Sequence, residues 1–128
     1  MSKKIIHTDH APKAVGPYSQ AIQLGDMLYC SGQIPLDPKT QELFTGDIKI
    51  QTEMVMSNIE AVLKAADMNF SHVVKTTIFL TSMSDFSAVN EIYAKRFSAS
   101  PPARSTVQVS GLPKGANVEI EVLANRNA

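Results

Sequence analysis

The chain has 128 residues, of which 44% are hydrophobic and 19% charged, and its twelve basic and twelve acidic side chains give a formal net charge of zero. This length is typical of a single domain, residues 1–128, whose core needs no disulfide to stabilise it. Because a protein whose main ligand is nucleic acid carries a basic footprint, the neutral charge argues against nucleic acid as a partner.

The distribution of apolar residues argues against a membrane protein. No apolar run approaches the ~20 residues that cross a bilayer, and residues 1–20 lack the apolar core of a signal peptide. The single cysteine, Cys30, has no partner for an internal disulfide, so we expect a cytoplasmic protein. No basic partner lies near Cys30 in the sequence, and a small buried hydrophobe is therefore a better interpretation than a nucleophile.

The first part of the chain predicts a short strand and then a hairpin. The short strand lies within KKIIHTDHAP, before turn residues that include Pro12. Two further strands, Ala21 to Leu24 and Met27 to Ser31, flank Gly25–Asp26. A two-residue loop of this kind joins antiparallel strands, and its glycine takes the left-handed conformation.

Two groups of polar residues in this part of the chain are candidates for ligand binding. Ser31 and Gly32 end a strand, where a hydroxyl and closely approaching backbone N–H groups could face a ligand, although a turn alone would also select them. His7 and His10 lie three residues apart around Asp9, but no helix is indicated there to bring them to one metal ion. We therefore assign no metal site.

Two amphipathic helices are predicted. Over residues 48–68, apolar side chains recur at three- and four-residue spacing. The polar residues of this segment that are expected to face outward are Glu53, Asn58, Glu60, Lys64 and Asp67. Over residues 85–98, a second apolar stripe follows a capping pair of Ser82 and Asp85, and Asn90 lies off the stripe. That stripe consists of Phe86, Val89, Ile92, Tyr93 and Phe97.

A central strand is predicted over residues 73–81, which are rich in β-branched and aromatic side chains. Val74, Ile78 and Leu80 would share one face. The opposite face carries Phe79 among lysine and threonine side chains, so it is neither a dry core nor a fully solvated exterior. Faces of this kind are often buried against another subunit.

The segment PPARSTVQV, at residues 101–109, predicts a strand with Arg104 at its start. The prolines favour extended backbone, and polar and β-branched residues alternate after them. Arg104 would share a face with Thr106 and Gln108, while Val107 would enter the core. A guanidinium on this polar face suits two-point binding of a carboxylate or phosphate, whereas an isolated surface arginine is more often part of a rim ion pair.

The last predicted strand, Val118 to Leu123, alternates apolar residues with Glu119 and Glu121. Propensity alone pairs it with the preceding strand as a hairpin. In any arrangement the valine faces of both strands would meet the helices, so Arg104 and Glu119 are expected on the other side of the same sheet. Glu119 thereby becomes a candidate for a polar functional role beside Arg104, although in isolation it would be an ordinary exposed carboxylate.

These elements predict an α+β fold in which two helices pack on one face of a single mixed β-sheet. The other face would carry partly apolar side chains that the monomer leaves uncovered. Such a face predicts a homo-oligomer of closed symmetry, and polar residues at its interfaces would make the clefts natural ligand sites.

Six motifs of the sequence occur in the order and spacing of a known family. They are AVGPYSQAI at 14–22, CSGQIP at 30–35, VVKTTIFL at 73–80, VNEIY at 89–93, PPARSTVQV at 101–109 and LPKGANVEIEVLA at 112–124. Together they resemble the RidA family, also called YjgF/YER057c/UK114, along essentially the whole chain. The resemblance implies a chorismate-mutase-like sheet backed by two helices, in which the last two strands are not neighbours. It also implies a homotrimer with ligand clefts between subunits.

The resemblance further implies a set of site residues. Arg104 would hold a substrate carboxylate, and Glu119 would orient or deprotonate the attacking water. The residues that would line the cleft are Tyr18, Ser31, Gly32 and Asn90. Position 106 is cysteine in many members of the family and is Thr106 here. This residue would contribute to the cleft through its backbone groups and packing, and the substitution could change substrate preference. Neither a metal nor an organic cofactor is implied.

Family members with this arginine are enamine/imine deaminases. They hydrolyse 2-iminobutanoate and 2-iminopropanoate, formed from 2-aminocrotonate and 2-aminoacrylate, to 2-oxo acids and ammonia. The alternative is a non-enzymatic trimer that binds small carboxylates and acts as a regulator or chaperone, since relatives have been linked to both roles. Ribonuclease activity is a third hypothesis, which the neutral net charge disfavours.

Overall fold

The computed structural model describes residues 2–128, within which two α-helices pack on one six-stranded sheet. In chain order the elements are β1 (Lys4–Ile6), β2 (Ala21–Leu24), β3 (Met27–Cys30), α1 (Ile48–Ala65), β4 (Val73–Leu80), α2 (Phe86–Ala94), β5 (Ala103–Gln108) and β6 (Val118–Asn125). The strand order is β1-β2-β3-β6-β4-β5, and neighbours are antiparallel except for β4 and β5, which are parallel. The predicted α+β fold with a mixed sheet is therefore confirmed.

The predicted hairpin near the N-terminus is confirmed. Strands β2 and β3 pair with Ala21 opposite Cys30 and Leu24 opposite Met27. Gly25 between them has a φ of 60°, a left-handed conformation that glycine adopts without steric cost. The hairpin that propensity favours at the other end of the chain is wrong, because β4 lies between β5 and β6.

The first helix begins at a side-chain cap. Asp47 Oδ1 accepts hydrogen bonds from the backbone N–H groups of Lys49, at 2.7 Å, and Ile50, at 3.3 Å. The prediction that Asn58 faces outward is wrong, since this residue is buried and its Nδ2 donates to Leu36 O at 2.9 Å. Asn58 thus anchors the loop after β3 to the helix, a contact that hydrophobic periodicity cannot show.

The second helix is shorter than predicted. A three-ten turn, Met83–Asp85, precedes α2, which ends at Ala94. Ser82 Oγ accepts from the backbone N–H of Ser84 at 3.3 Å, so Ser82 caps the turn, while Asp85 makes no side-chain cap hydrogen bond. The predicted capping pair therefore acts through Ser82 alone. Neither this helix nor any other in residues 2–128 is long and apolar enough to span a bilayer.

A bulge changes which side chains of β4 face the core. The register of β4 against β6 shifts between Val73 and Lys75, and both Val73 and Thr76 are buried. Val74 is 38% exposed instead. The prediction that Val74 shares the buried face of Ile78 is wrong, because an extra residue at a bulge inverts the alternation on one side of it.

The hydrophobic core lies between the two helices and one face of the sheet. It includes Leu28, Ile78, Leu80, Val118 and Ile120 from the strands and Val55, Ile59, Val62, Leu63, Val89 and Tyr93 from the helices. Cys30 belongs to this core, and burial raises its pKa to about 12. The interpretation of Cys30 as a buried hydrophobe is confirmed, since a thiol of this kind is not ionised at neutral pH.

The outer face of the sheet, which is the face turned away from the helices, mixes apolar and charged side chains. Within residues 2–128, Tyr29 is left 45% exposed and Val107 is left 42% exposed, while Phe79 is partly buried. Glu119 and Glu121 of β6 share this face. The homotrimer expected to cover such a surface stays a prediction.

Candidate functional site

Strand β5 turns Arg104 toward the helices. In the parallel pairing of β4 with β5, Arg104 lies opposite Thr76, whose side chain is buried on the helix side. Val107 lies opposite Phe79 on the outer face. The prediction that Val107 enters the core while Arg104 faces away from the helices is wrong. Alternation shows which residues share a face, but it does not show which face of an edge strand meets the helices.

Glu119 lies on the other side of the sheet from Arg104. It pairs with Phe79 of β4, so its side chain is on the outer face. The strands of Arg104 and Glu119 are two positions apart in the sheet, and the two residues are offset by three along it. With strands about 4.8 Å apart and about 3.3 Å per residue, their Cα atoms are about 14 Å apart. The predicted placement of both side chains on one face is therefore wrong.

Three side chains of α2 surround the Arg104 guanidinium. Its Nη1 donates to Asn90 Oδ1 at 2.6 Å, and its Cζ lies 5.1 Å from the ring centre of Tyr93 and 5.4 Å from that of Phe86. Residues spaced by four and then three positions lie on one helix face, so the prediction that Asn90 lies off the stripe of Phe86 and Tyr93 is wrong. The structure brings Asn90 and Arg104 together.

Thr106 follows Arg104 on the same face of β5, where it lies opposite Ile78. Its Oγ1 is buried, and none of residues 2–128 offers it a hydrogen-bond partner. A buried hydroxyl without a partner costs about 1–3 kcal/mol. We call Arg104, Asn90 and Thr106, on the helix side of the sheet edge, the arginine half-site.

The remaining candidate residues line a pocket of about 550 Å³. The pocket brings together Tyr18, Ser31, Gly32 and Glu119, which we call the glutamate half-site. The other lining residues are Pro12, Lys13, Val15, Gln20, Gln33, Ile34, Leu36, Gln41, Pro113 and Lys114. Four of the predicted site residues therefore share one pocket, and the arginine half-site lies apart from it.

The Glu119 carboxylate packs directly on the backbone of Gly32. A Cβ atom at Gly32 would collide with Glu119 Oε2 and would lie 2.9 Å from its Cδ. The neighbouring residues hold the two segments in register, since Gln33 N donates to Ile120 O at 2.9 Å and Ile120 N donates to Gln33 O at 3.1 Å. The carboxylate can therefore hold this position only while residue 32 has no side chain, because a methyl group there would displace it.

The environment of Glu119 shifts its proton affinity. Burial raises the pKa of Glu119 above its ordinary value, and the carboxylate of Glu121 raises this pKa further. A carboxylate whose pKa is raised accepts a proton more readily than an exposed glutamate does, and its acid form can return that proton. Glu119 is therefore chemically suited to exchange protons with a ligand in the pocket.

Ser31 presents hydrogen-bond acceptors to the pocket. Its Oγ donates to Ser19 O at 2.6 Å, and its backbone N–H donates to Gln20 O at 2.9 Å. Because the hydroxyl proton is already used, the lone pairs of Ser31 Oγ are left for a donor in the pocket. Tyr18 is 54% exposed and lines the same pocket, so its ring is available to a neighbouring molecule.

The sequence analysis missed Gln20, which builds one wall of the pocket. This residue is buried, its Oε1 accepts from Thr8 N at 2.7 Å, and its Nε2 donates to Pro12 O at 2.8 Å. Gln20 thereby fixes the segment before β2 against the sheet. A single polar residue next to a strand gives no periodic signal, so the sequence pattern does not identify it.

Several known proteins are similar to this chain along its length. Protein DfrA of Myxococcus xanthus is 57% identical over 97% of this chain and 96% of its own. The 2-iminobutanoate/2-iminopropanoate deaminase of Mus musculus is 47% identical over 95% of this chain and 90% of its own. AldR of Lactococcus lactis, whose name describes a regulator, is 52% identical over 94% of this chain and 96% of its own.

A solved structure and a family model agree with these relatives. The Yersinia pestis protein YyfA, described as a member of the conserved Rid protein family, has a TM-score of 0.94 and 54% identity over 97% of this chain and 99% of its own. Residues 8–126 match the family model described as Endoribonuclease L-PSP, so the resemblance of the six motifs is confirmed. The chain therefore belongs to the Endoribonuclease L-PSP family, which is the RidA (YjgF) family.

Proposed function

We propose that this chain is a deaminase that hydrolyses reactive 2-imino acids to 2-oxo acids and ammonia. Family membership supports this class of activity, since the relative from mouse is a 2-iminobutanoate/2-iminopropanoate deaminase. The substrates would be 2-iminobutanoate and 2-iminopropanoate, formed from 2-aminocrotonate and 2-aminoacrylate. The observation that carries the proposal is the chemical complementarity of the two half-sites, of which one suits a carboxylate and the other a proton transfer.

The proposed site is shared between two copies of the chain. In a 2-imino acid the carboxylate is bonded directly to the imine carbon, so the groups that act on them must lie close together. Arg104 and Glu119 of one copy lie about 14 Å apart on opposite faces of the sheet. A complete site therefore needs the arginine half-site of one copy beside the glutamate half-site of another, as in the clefts of a homotrimer. The partly apolar outer face supports such an assembly.

Arg104 binds the substrate carboxylate in this proposal. The planar guanidinium offers paired N–H donors whose geometry matches the two carboxylate oxygens. Asn90 accepts from one of these donors and so orients the side chain before substrate binds. Thr106 lies beside Arg104 on β5, and its packing contributes to the shape of the cleft and hence to the substrate side chain that the cleft accepts.

Glu119 carries protons in this proposal. As a water oxygen bonds to the carbon of the protonated imine, the Glu119 carboxylate takes a proton from that water, which gives a carbinolamine. Glu119 then returns the proton to the nitrogen, and the C–N bond breaks with its electron pair on nitrogen. The hydroxyl proton passes to the free Glu119 carboxylate as the 2-oxo acid forms, and ammonia takes it up as it leaves as ammonium. The protonated imine carbon is already a strong electrophile, and positioning of one water with acid–base help is enough for hydrolysis, so we expect no metal or organic cofactor.

The other residues of the glutamate half-site hold the reacting groups. The lone pairs of Ser31 Oγ suit the N–H groups of the protonated imine. Gly32 lets the Glu119 carboxylate lie against the backbone, close to the same nitrogen and carbon. Tyr18 would close the cleft over the substrate and reduce the access of competing nucleophiles.

A coupled assay tests the proposed activity. Threonine dehydratase releases 2-aminocrotonate, semicarbazide competes for the imine, and formation of 2-oxobutanoate is followed with and without the native chain. We expect the chain to speed formation of 2-oxobutanoate and to lower the yield of semicarbazone in proportion to its concentration. Rates that do not change at any concentration of the chain would exclude the deaminase.

A non-enzymatic trimer that binds small carboxylates is the second candidate, which the regulator name of AldR favours. A binder needs Arg104 but has no use for Glu119 as a proton carrier. In that case 2-oxobutanoate binds while the coupled assay stays at background, and Glu119→Gln binds it as tightly as the native chain. The family description also names an endoribonuclease, whose minimum signature would be RNA binding that weakens steeply with salt.

A further inference from the structure

We propose that Phe86 and Tyr93 form an aromatic clamp that positions Arg104 for the substrate carboxylate. The inference rests on the proposed function, because it concerns how the arginine half-site obtains its affinity. The starting observation is that Arg104 is exposed on an edge strand and yet makes three contacts with one helix. A long exposed side chain without such contacts samples many rotamers, which weakens any ligand contact that needs one of them.

The contacts of Arg104 come from successive turns of α2. The Cζ atom lies 5.4 Å from the ring centre of Phe86 and 5.1 Å from that of Tyr93, both within the ~6 Å range of cation–π attraction. Asn90, between the two rings on the same helix face, accepts from Nη1 at 2.6 Å. The guanidinium is thus held at two rings and one amide, and the N–H groups that Asn90 does not use are left for a ligand.

The ring of Tyr93 is itself fixed by its surroundings. Its hydroxyl hydrogen-bonds to Thr76 Oγ1 at 2.8 Å, and Thr76 is the buried residue directly opposite Arg104 in β4. The Tyr93 ring also packs 4.7 Å from the ring centre of Phe97, which meets Phe70 edge-on at 5.4 Å. This side of the clamp is therefore anchored in the core, as preorganisation of a binding group requires.

The charges around Arg104 distinguish the clamp from a structural ion pair. In the described part of the chain, no carboxylate lies within ion-pair distance of Arg104. Arg96, one helix turn beyond Tyr93, also lies over a ring, 5.2 Å from Phe70, but it pairs with Glu53 at 3.8 Å and Glu60 at 3.6 Å. Aromatic rings hold Arg104 without neutralising it, so its charge stays available for an anion.

Binding of the product 2-oxobutanoate, measured by calorimetry on the intact chain, tests the clamp separately from catalysis. Phe86→Leu and Tyr93→Leu are each expected to raise the Kd by about 2- to 5-fold, since a favourable cation–π contact of an exposed arginine is lost. Phe86→Tyr keeps the ring and should stay within about twofold of the native chain, whereas Tyr93→Phe keeps the ring but loses its hydrogen bond to Thr76, so its Kd should lie between those of the native chain and Tyr93→Leu. In the coupled assay the same leucine variants should raise KM and leave kcat nearly unchanged.

A double-mutant cycle separates the clamp from a general structural role. In an Arg104→Ala background, Phe86→Leu should change the remaining binding by less than about twofold, because the cation that it positions is gone. An equal loss in both backgrounds, or no loss in the leucine variants, would overturn the clamp. Phe86 is only partly buried, so the Phe86 variants should fold and test the clamp even if Tyr93→Leu fails to fold. A native chain that binds 2-oxobutanoate without deaminase activity refutes the proposed function alone, whereas one that binds none overturns the clamp.

Discussion

Replacing Arg104 by alanine is expected to abolish the acceleration of 2-oxobutanoate formation, with kcat/KM for 2-iminobutanoate at least about 100-fold lower. The substitution removes two charge-assisted hydrogen bonds to the substrate carboxylate, each worth about 1.5–3 kcal/mol. Arg104→Lys should recover only a small part of this loss, because a point charge on a flexible stem cannot reproduce the planar pair of donors. The coupled assay with threonine dehydratase and semicarbazide measures both variants.

The loss should come from the site and not from unfolding. Arg104 is exposed on the edge strand, so its removal should leave the thermal unfolding temperature and the oligomeric mass close to those of the native chain. Lys95→Ala is a suitable control, since it removes an exposed cation next to α2 that forms an ion pair with Glu53. Near-native turnover by folded Arg104→Ala would remove the carboxylate-binding role from Arg104.

Replacing Glu119 by glutamine is expected to lower kcat by about 100- to 10,000-fold, the usual contribution of a general acid–base group. KM should change little, because Arg104 still binds the carboxylate. Gly32→Ala should give a similar loss although Glu119 is retained, since the added methyl displaces the carboxylate end of a flexible side chain and leaves the backbone in place. Single-turnover kinetics on both variants separate the chemical step from binding.

Gly111→Ala is the matched control for the glycine substitution. Apart from its two chain neighbours, no residue among 2–128 lies within 4 Å of a methyl group at position 111, so this variant should keep native activity and stability. If Gly32→Ala and Gly111→Ala are equally active, the contact between Gly32 and the carboxylate has no catalytic role. Full activity of Glu119→Gln would show that another group or solvent, and not Glu119, carries the protons.

The raised pKa of Glu119 adds an expected pH dependence to this prediction. As a base Glu119 must be ionised, so native activity should fall as pH drops through the raised pKa, and this acid limb should be absent in Glu119→Gln. A carboxyl group whose pKa is raised by folding contributes most to the free energy of unfolding below its ordinary pKa. That contribution is lost as the pH rises through the pKa of the folded state. Glu119→Gln should therefore unfold at a higher temperature than the native chain near pH 7 and lose that advantage in acid.

Elements that pack on the core could be predicted from the sequence, because the apolar residues that face the core recur at the period of the strand or helix that carries them. This holds for the hairpin of β2 and β3, for the stripe of α1 and for the alternation of β6. The bulge at Val73 and the buried contact of Asn58 could not be predicted in the same way. They depend on partners far along the chain, such as Leu36 O for the Asn58 side chain.

The candidate site also depends on strand pairing that the local sequence does not determine. The strand patterns supplied Arg104 and Glu119 as candidates and the resemblance to the family implied their roles, but the alternation of β5 does not determine which of its faces meets α2. Strand β5 lies at the edge of the sheet, and its Val107 is on the outer face, turned away from the helices. The separation of the site into two half-sites therefore follows from the pairing of β5 with β4 and from nothing in the local sequence.

Complementation between subunits tests most directly whether each site is shared by two copies. Arg104→Ala and Glu119→Gln each lack one half-site, and each should be inactive alone. When equal amounts are refolded together into mixed trimers, about one quarter of the interfaces should join an intact Arg104 of one copy to an intact Glu119 of another. A shared site predicts recovery of about one quarter of the native activity in the mixture, whereas activity no greater than that of the separate variants, in trimers shown to be mixed, would contradict it.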